Sequence, residues 1–356
     1  MAVLSPNTFT SKSTGKQHFY LMAGPSNGPL IIFLHGWPGI ALTWKYQLHA
    51  FASLGFYVVA PDMAGYGQTW TSKDPGEFAL EKLVPQYLEL LEHVGRKEAI
   101  WCGHDWGCGP LWAIASHHPE VCKAVIGMSV PYRTLELGLN YMIPYLDREL
   151  YPEDEFPYGQ YDYQVFYQEN PEAATRQFES DIPSYVRLIF SRGQEKGSRE
   201  RSFTVNTRNN GGWFEGPNTV VPEIPLEMTV IDEELRSELV ASLTKNGFHG
   251  ATNWYLNHSA NEKYGLEKGV NNGVLKMPVL FIHTEYDTIC QTVHNPRAGL
   301  QMREHCENLS EFVIKAAHWG MLECPDKTNA GIVQWILEKV RDSWPGPESR
   351  ARASLL

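Results

Sequence analysis

Gly103-His104-Asp105-Trp106-Gly107 decides how the rest of this chain is read. Before it, Ala99-Ile100-Trp101-Cys102 is a short apolar run of the kind that forms a buried strand. After it, Cys108-Gly109-Pro110-Leu111-Trp112-Ala113-Ile114-Ala115 reads as a helix. A strand, a sharp turn flanked by glycines, and a helix make the elbow that presents a nucleophile. Crowded backbone at such a turn leaves no room for Cβ atoms, and glycine tolerates the strained dihedrals. Elbows commonly carry serine at the apex. Here the apex is Asp105, so the nucleophile would be a carboxylate.

Outward from the elbow the pattern alternates. Phe19-Tyr20-Leu21-Met22 reads as an early strand, and Leu30-Ile31-Ile32-Phe33-Leu34 as a fully buried one that ends in His35-Gly36-Trp37-Pro38-Gly39. Phe56-Tyr57-Val58-Val59-Ala60 is a further strand, ending in Pro61-Asp62-Met63-Ala64-Gly65-Tyr66-Gly67. Residues 80–95 carry apolar side chains at helical spacing, and Ala124-Val125-Ile126-Gly127-Met128 is again strand-like. Apolar strands alternating with amphipathic helices predict an α/β fold, a mainly parallel sheet with helices on both faces.

The alternation stops after Pro131. Asp162 to Gln168, Glu172 to Phe178, Ser184 to Phe190, Asp232 to Leu243 and Ala251 to Asn257 are helical candidates. Ser191 to Thr219, rich in Gly, Asn, Arg and Ser, reads as a long surface loop. Strands return at Met277 to His283 and Glu311 to Ile314, the latter leading into Ala316-Ala317-His318-Trp319-Gly320. A helix from Asn329 to Asp342 closes the domain, and the tail from Trp344 is expected to fray. The expected organisation is a core of residues 1–133 and 266–356 with a helical cap, 134–265, inserted between strands.

Composition narrows the partners. The 356 residues, 43% of them apolar, suffice for one large core with an insertion. A net charge of −11 argues against nucleic acid and anionic membranes. No apolar run approaches a membrane span. Met1 to Gly15 has no apolar stretch of the secretory kind. The six cysteines include no C-x-x-C pair, so reduced, mostly buried thiols in the cytoplasm are expected. The sequons at Asn257 and Asn308 are too short a pattern to overturn that, and Ser354-Leu355-Leu356 only approximates a peroxisomal tripeptide. Nothing in the sequence specifies the oligomeric state.

In open α/β sheets, ligands and catalytic groups lie at the carboxyl ends of strands. His35, Asp105, Asp287 and His318 fall there. A lone Asp at a strand end is usually a cap, and a lone His a hydrogen-bonded structural residue. The order nucleophile, acid, histidine, with each at a strand end, favours a triad of Asp105, Asp287 and His318. Glu285 is a rival acid nearer its strand. A carboxylate needs no base to become charged, and its attack on an sp3 carbon leaves an ester on the protein. His318, held by Asp287, would then activate water against that ester. The resulting oxyanion needs two backbone N–H donors, and Trp106 and Trp37 are placed to supply them. The tight turn there predicts a cis Trp37–Pro38 peptide. His104 and Asp62 read as supports, the latter bracing its turn.

Gly103-His104-Asp105-Trp106-Gly107, His35-Gly36-Trp37-Pro38, Asp287 and His318 together resemble the soluble epoxide hydrolases of the α/β-hydrolase fold. The resemblance covers most of the chain. Asp162-Tyr163-Gln164 and Asn253-Trp254-Tyr255 resemble the cap segments that bear the family's two ring-opening tyrosines, which implies that role for Tyr163 and Tyr255. Two phenols can stabilise and protonate a departing alkoxide; the bland alternative is that they pack the cap onto the core. Two features depart from the pattern: Asn257, where the family often has a basic residue, and the long 191–219 loop. The resemblance implies a small, apolar or aromatic epoxide as substrate, a role in detoxification, and neither metal nor other cofactor. Haloalkane or haloacid dehalogenases use a similar triad, often with Trp after the nucleophile, so Asp105-Trp106 alone does not separate the two. A ligand receptor on a hydrolase-like fold is the alternative of another class.

Overall fold

The computed structural model describes residues 2–195, 199–214, 216 and 220–346. Among the described residues eight strands occur in chain order: β1 (Ser5–Thr10), β2 (Gln17–Ala23), β3 (Leu30–Leu34), β4 (Tyr57–Pro61), β5 (Ala99–His104), β6 (Cys122–Met128), β7 (Leu275–Thr284) and β8 (Cys306–Ile314). They form one sheet in the order β1-β2-β4-β3-β5-β6-β7-β8. β1 pairs antiparallel with β2, and β2 antiparallel with β4; the remaining pairs are parallel. Every residue of β3, β4 and β5 is buried, as expected of strands covered on both faces. β1 escapes a sequence reading because its exposure alternates and Phe9 is its one fully buried side chain.

Helices α1 (Lys45–Ser53), α2 (Leu80–His93) and α3 (Cys108–His117) connect the central strands. The chain steps from β3 one way to β4, then returns across β3 to β5 and on to β6. Right-handed crossovers in opposite directions put α1 on one face and α2 and α3 on the other. The reversal opens a crevice beyond the carboxyl ends of β3 and β5, where Trp37 and Asp105 follow their strands.

Between β6 and β7 the chain is helical: α4 (Asp162–Glu169), α5 (Pro171–Glu179), α6 (Ile182–Ile189), α7 (Thr207–Asn210), α8 (Glu233–Asn246), α9 (His249–Asn253) and α10 (His258–Lys268). Asp181 and Asp232 cap α6 and α8 through side-chain oxygens. α10 packs on α2 and α3. The reading of 191–219 as a surface loop needs correction over its described part. Phe203–Asn206 forms a 3-10 turn that leads into α7, and Ser202, Thr204, Thr207 and Trp213 are buried. The polar majority of that segment masks a few residues that carry the packing: Trp213 stands edge-on to Phe178, with centroids 5.0 Å apart.

After β7 come α11 (Leu300–His305), then β8, α12 (Gly320–Glu323) and α13 (Pro325–Lys339). Pro325 occupies the first turn of α13, where its missing N–H costs nothing, so the closing helix starts four residues earlier than Asn329. The last residues, including Ser354-Leu355-Leu356, lie outside the described part. All six cysteines are unpaired and five are buried. Among the described residues, no helix is long and apolar enough to cross a membrane.

The elbow is packed tightly against β3. A Cβ on Gly107 would lie 2.2 Å from the Leu34 carbonyl oxygen, whereas one on Gly109 would meet nothing nearer than 3.5 Å. Gly107→Ala is therefore expected to destabilise the protein by about 3 kcal/mol. Gly109→Ala, inside α3, is expected to stabilise it by about 0.5–1 kcal/mol. Urea unfolding followed by circular dichroism measures both. Similar effects from the two substitutions would refute this account of the elbow.

Candidate active site

Asp105 sits at the apex of the elbow with φ of 50°, a left-handed conformation unusual for a residue other than glycine. The turn aims its carboxylate back toward the end of β3. There the Trp37 N–H donates to Asp105 Oδ1 at 2.6 Å. The Trp106 N–H also donates to the carboxylate. The Trp37–Pro38 peptide is cis. His35 supports this turn: its Nδ1–H donates to the Gly36 carbonyl at 3.0 Å, and its Nε2 accepts from the Met63 N–H at 2.9 Å. Burial holds its pKa down at about 4, so the ring is neutral and its nitrogens are spent on backbone. Asp62 accepts from the Ala41 and Gln68 N–H groups and braces the neighbouring turn.

The loop after β8 brings His318 to Asp105, with Nε2 3.7 Å from Oδ2. Its Nδ1–H donates to Asp287 Oδ2 at 2.8 Å. Asp287 Oδ1 accepts from the Ile289 and Cys290 N–H groups, at 2.9 Å each. Burial raises the Asp287 pKa, but His318 and these donors outweigh it and hold the carboxyl below its ordinary range. Glu285 is only partly buried, and the histidine bonds to Asp287 instead. His104 Nε2–H donates to the His318 carbonyl at 2.8 Å, and burial pushes that imidazole well down, so it supports the loop as a neutral ring.

Burial likewise lowers the His318 pKa, but the charge and hydrogen bond of Asp287 and the charge of Asp105 raise it more, to about 9. Asp105 is pushed up by burial, against the pull of His318 and the two backbone donors. His318 thus lies between two carboxyl groups whose charges favour its protonated form.

Asp105, His318, Trp37, Tyr163 and Tyr255 line one cavity of about 360 Å³. Tyr163 and Tyr255 stand edge-to-face, centroids 5.7 Å apart. Burial and neighbouring groups, Asp105 among them, push both phenols well above 10, so they keep their protons. Gln164 Nε2–H donates to the Tyr163 oxygen at 3.1 Å, which leaves the phenol hydrogen free to point elsewhere. Asp287, Cys290 and His318 also bring three possible metal-donor atoms within 4.8 Å of one another. Burial and the charges of Asp287 and Asp105 push the Cys290 thiol well up. A protonated thiol and an imidazole committed to Asp287 suit proton transfer better than metal binding.

Residues 29–325 match the alpha/beta hydrolase fold family. The chain belongs to that family. Its relatives include bifunctional epoxide hydrolase 2 of Sus scrofa, 29% identical over 91% of this chain and 54% of that protein. The chain spans about half the length of such bifunctional relatives. Epoxide hydrolase A of Mycobacterium tuberculosis is 24% identical over 88% of this chain and 92% of that one. The crystal structure of epoxide hydrolase A from Mycobacterium thermoresistibile shares the fold, with a TM-score of 0.75 and 24% identity over 94% of this chain and 98% of that one.

Within this α/β-hydrolase site, several cavity residues had no sequence signal strong enough to mark them. Phe203, Thr204 and Trp213 come from the polar segment read as a loop, and Ile189 with Ser191 to Gln194 form one wall. Isolated aromatics in an otherwise polar run are the trace they leave.

The raised pKa of His318 links the site to stability. Its ordinary value is 6.5, and in the fold it is about 9. Its stabilisation is fully present below about pH 6.5 and is lost as pH rises through about 9. Asp287, depressed in the fold, contributes constantly over that window. The difference in unfolding free energy between the parent and His318→Gln should therefore shrink from pH 6.5 to pH 9.5. Denaturant titrations at a series of pH values test this; a constant difference would mean that His318 is not held protonated.

Proposed function

We propose that this chain hydrolyses epoxides to vicinal diols through a covalent ester on Asp105. The observation that carries the reading is the arrangement of Tyr163 and Tyr255, two protonated phenols lining the same cavity as the buried carboxylate. The activities named for the relatives support it. Residues 134–265 act as a cap that carries the phenols over a core of 1–133 and 266–356. The substrate is a small, apolar or aromatic epoxide, matching the aromatic walls. Six unpaired cysteines suit a reducing compartment, and the cytoplasm is the location we infer.

Asp105 Oδ1 is held by the Trp37 N–H, so Oδ2 is the oxygen free to attack an epoxide carbon. One carbon–oxygen bond forms, the strained ring bond breaks, and a phenol gives its proton to the departing alkoxide. The phenolate then recovers a proton while the imidazolium gives one up. Esterification removes the Asp105 charge, one of the causes that keep His318 protonated. His318 thus enters the second step neutral and takes a proton from water attacking the Asp105 carboxyl carbon. Oδ1 becomes the oxyanion, already held by the Trp37 N–H, with the Trp106 N–H at the same carboxyl group. Collapse releases the diol and restores the carboxylate and the imidazolium.

Two observations bear on halide release. Trp106 has a buried indole N–H without an acceptor, but its ring packs on Trp254, Tyr255 and His258 and does not line the cavity. Trp37 does line it, and its indole N–H is also unpartnered. Dehalogenation is thus the second reading, and paired assays of diol formation and halide release separate the two.

Tyr163→Phe and Tyr255→Phe should each slow ring opening, by about 10- to 100-fold, since one phenol still donates. The double variant should nearly abolish it. Ring opening at the parent rate in the double variant would make both tyrosines packing residues.

The two-step route has its own test. With enzyme in excess in heavy-oxygen water, the first diol should carry unlabelled oxygen from Asp105, and the label should stay in the Asp105 carboxylate. His318→Gln should stop after the first step, with one substrate mass bound at Asp105. A labelled first diol would overturn the nucleophile role of Asp105.

A further inference from the structure

The cavity wall formed by Ile189 with Ser191 to Gln194 is fastened to the loop that carries His318. Just past the end of α6, Ser191 makes an isolated antiparallel bridge to Thr229, with the Arg192 N–H donating to the Met228 carbonyl and the Val230 N–H to the Phe190 carbonyl. Toward the core the wall meets residues on either side of the histidine. Glu323, at the end of α12, accepts through Oε1 from the Gly193 N–H at 3.1 Å and through Oε2 from the Ala317 N–H at 2.8 Å. One carboxylate therefore joins the wall to the residue immediately before His318. The residue immediately after it, Trp319, donates its indole N–H to the Ile189 carbonyl at 2.9 Å and stacks on Phe190 with centroids 4.0 Å apart. The approach is close enough to require glycine: a Cβ on Gly193 would lie 2.5 Å from the Ala317 Cβ.

Asp105 is positioned by a different set of contacts, the elbow and the Trp37 and Trp106 N–H groups. None of these involves the wall. The two chemical steps therefore depend on the wall unequally. Attack by Asp105 needs the elbow. Ester hydrolysis needs His318 Nε2 aimed at water beside the carboxyl carbon, and displacement of a catalytic group by about 1 Å costs on the order of 100-fold.

We propose that Glu323 is a positioning residue that couples the seat of the 189–194 wall to the aim of His318, and so sets the rate of ester hydrolysis without setting the rate of ester formation. Trp319 is the second fastening of the same device. This rests on the two-step reading above.

Glu323→Gln leaves size and shape but gives the clamp one acceptor oxygen for two N–H donors, and turns an NH2 toward the other. Ester formation should stay within about twofold of the parent, and ester hydrolysis should slow about tenfold or more. The Asp105 ester should then accumulate in rapid-quench intact-mass measurements. In the steady state, kcat and KM should fall together with kcat/KM preserved, since kcat/KM reports steps up to ester formation. Gly193→Ala tests the device from the other side, with Glu323 intact: its Cβ wedges this cavity-lining position from Ala317 and should slow ester hydrolysis more than it changes substrate binding and ester formation. The preserved first step is the control for folding in Glu323→Gln, and circular dichroism is the control in Gly193→Ala. Hydrolysis at the parent rate in Glu323→Gln, or equal slowing of both steps in the two variants, would overturn the coupling. A parent enzyme whose first-turnover diol carries solvent label would instead overturn the two-step reading, and the coupling with it.

Discussion

The close approach of the elbow to β3 is the constraint on which the site depends. Because Gly107 lets the turn press against the Leu34 carbonyl, Asp105 takes a left-handed conformation and its carboxylate reaches the Trp37 N–H. The Trp37 and Trp106 N–H groups are therefore both occupied by the resting carboxylate. In the proposed mechanism the same two N–H groups would also hold the oxyanion formed during hydrolysis, so no reorganisation would be needed between the two states. A serine at this apex would need an adjacent base to reach a comparable charge.

Around that fixed centre the charges are arranged in series. Asp287 is buried and anchored by two backbone donors, so its charge does not move. Asp105 carries a charge that the proposed chemistry removes and restores. His318 lies between a constant and a variable carboxylate, and its proton affinity follows the variable one. A buried imidazole with a single partner would lack this dependence. The coupling of the three groups means that their titrations belong to the set rather than to any one side chain.

Much of this was legible in the sequence, for physical reasons that differ by region. Parallel strands buried on both faces read as continuous apolar runs, so Leu30 to Leu34 and Ala99 to Cys102 mark the sheet and, by following their ends, Trp37 and Asp105. Asp287 and His318 follow from the next strands in the same way. What was not legible depends on contacts between distant segments. β1 is an edge strand that buries little, and α1 mixes buried Lys45 and Gln47 with its apolar face. Trp213 and Phe203 sit in a run whose composition is that of a loop, and only the aromatic cluster around Phe178 and Trp37 shows why they are held. Glu323 has no local mark at all, because its meaning lies in two N–H groups from segments far apart in the chain.

The cysteines acquire a meaning from the proposed chemistry. An enzyme that concentrates alkylating agents in its interior is exposed to them, and thiolates are among the strongest nucleophiles a protein offers. Five of the six thiols here are buried, and burial pushes all six above their ordinary pKa. Cys290, beside the triad, is among those pushed furthest. A thioether formed there would be permanent, whereas the proposed ester on Asp105 would face a histidine able to activate water against it. In the proposed mechanism, then, the carboxylate is the group whose alkylation can be hydrolysed, while burial keeps the thiols in their less reactive protonated form.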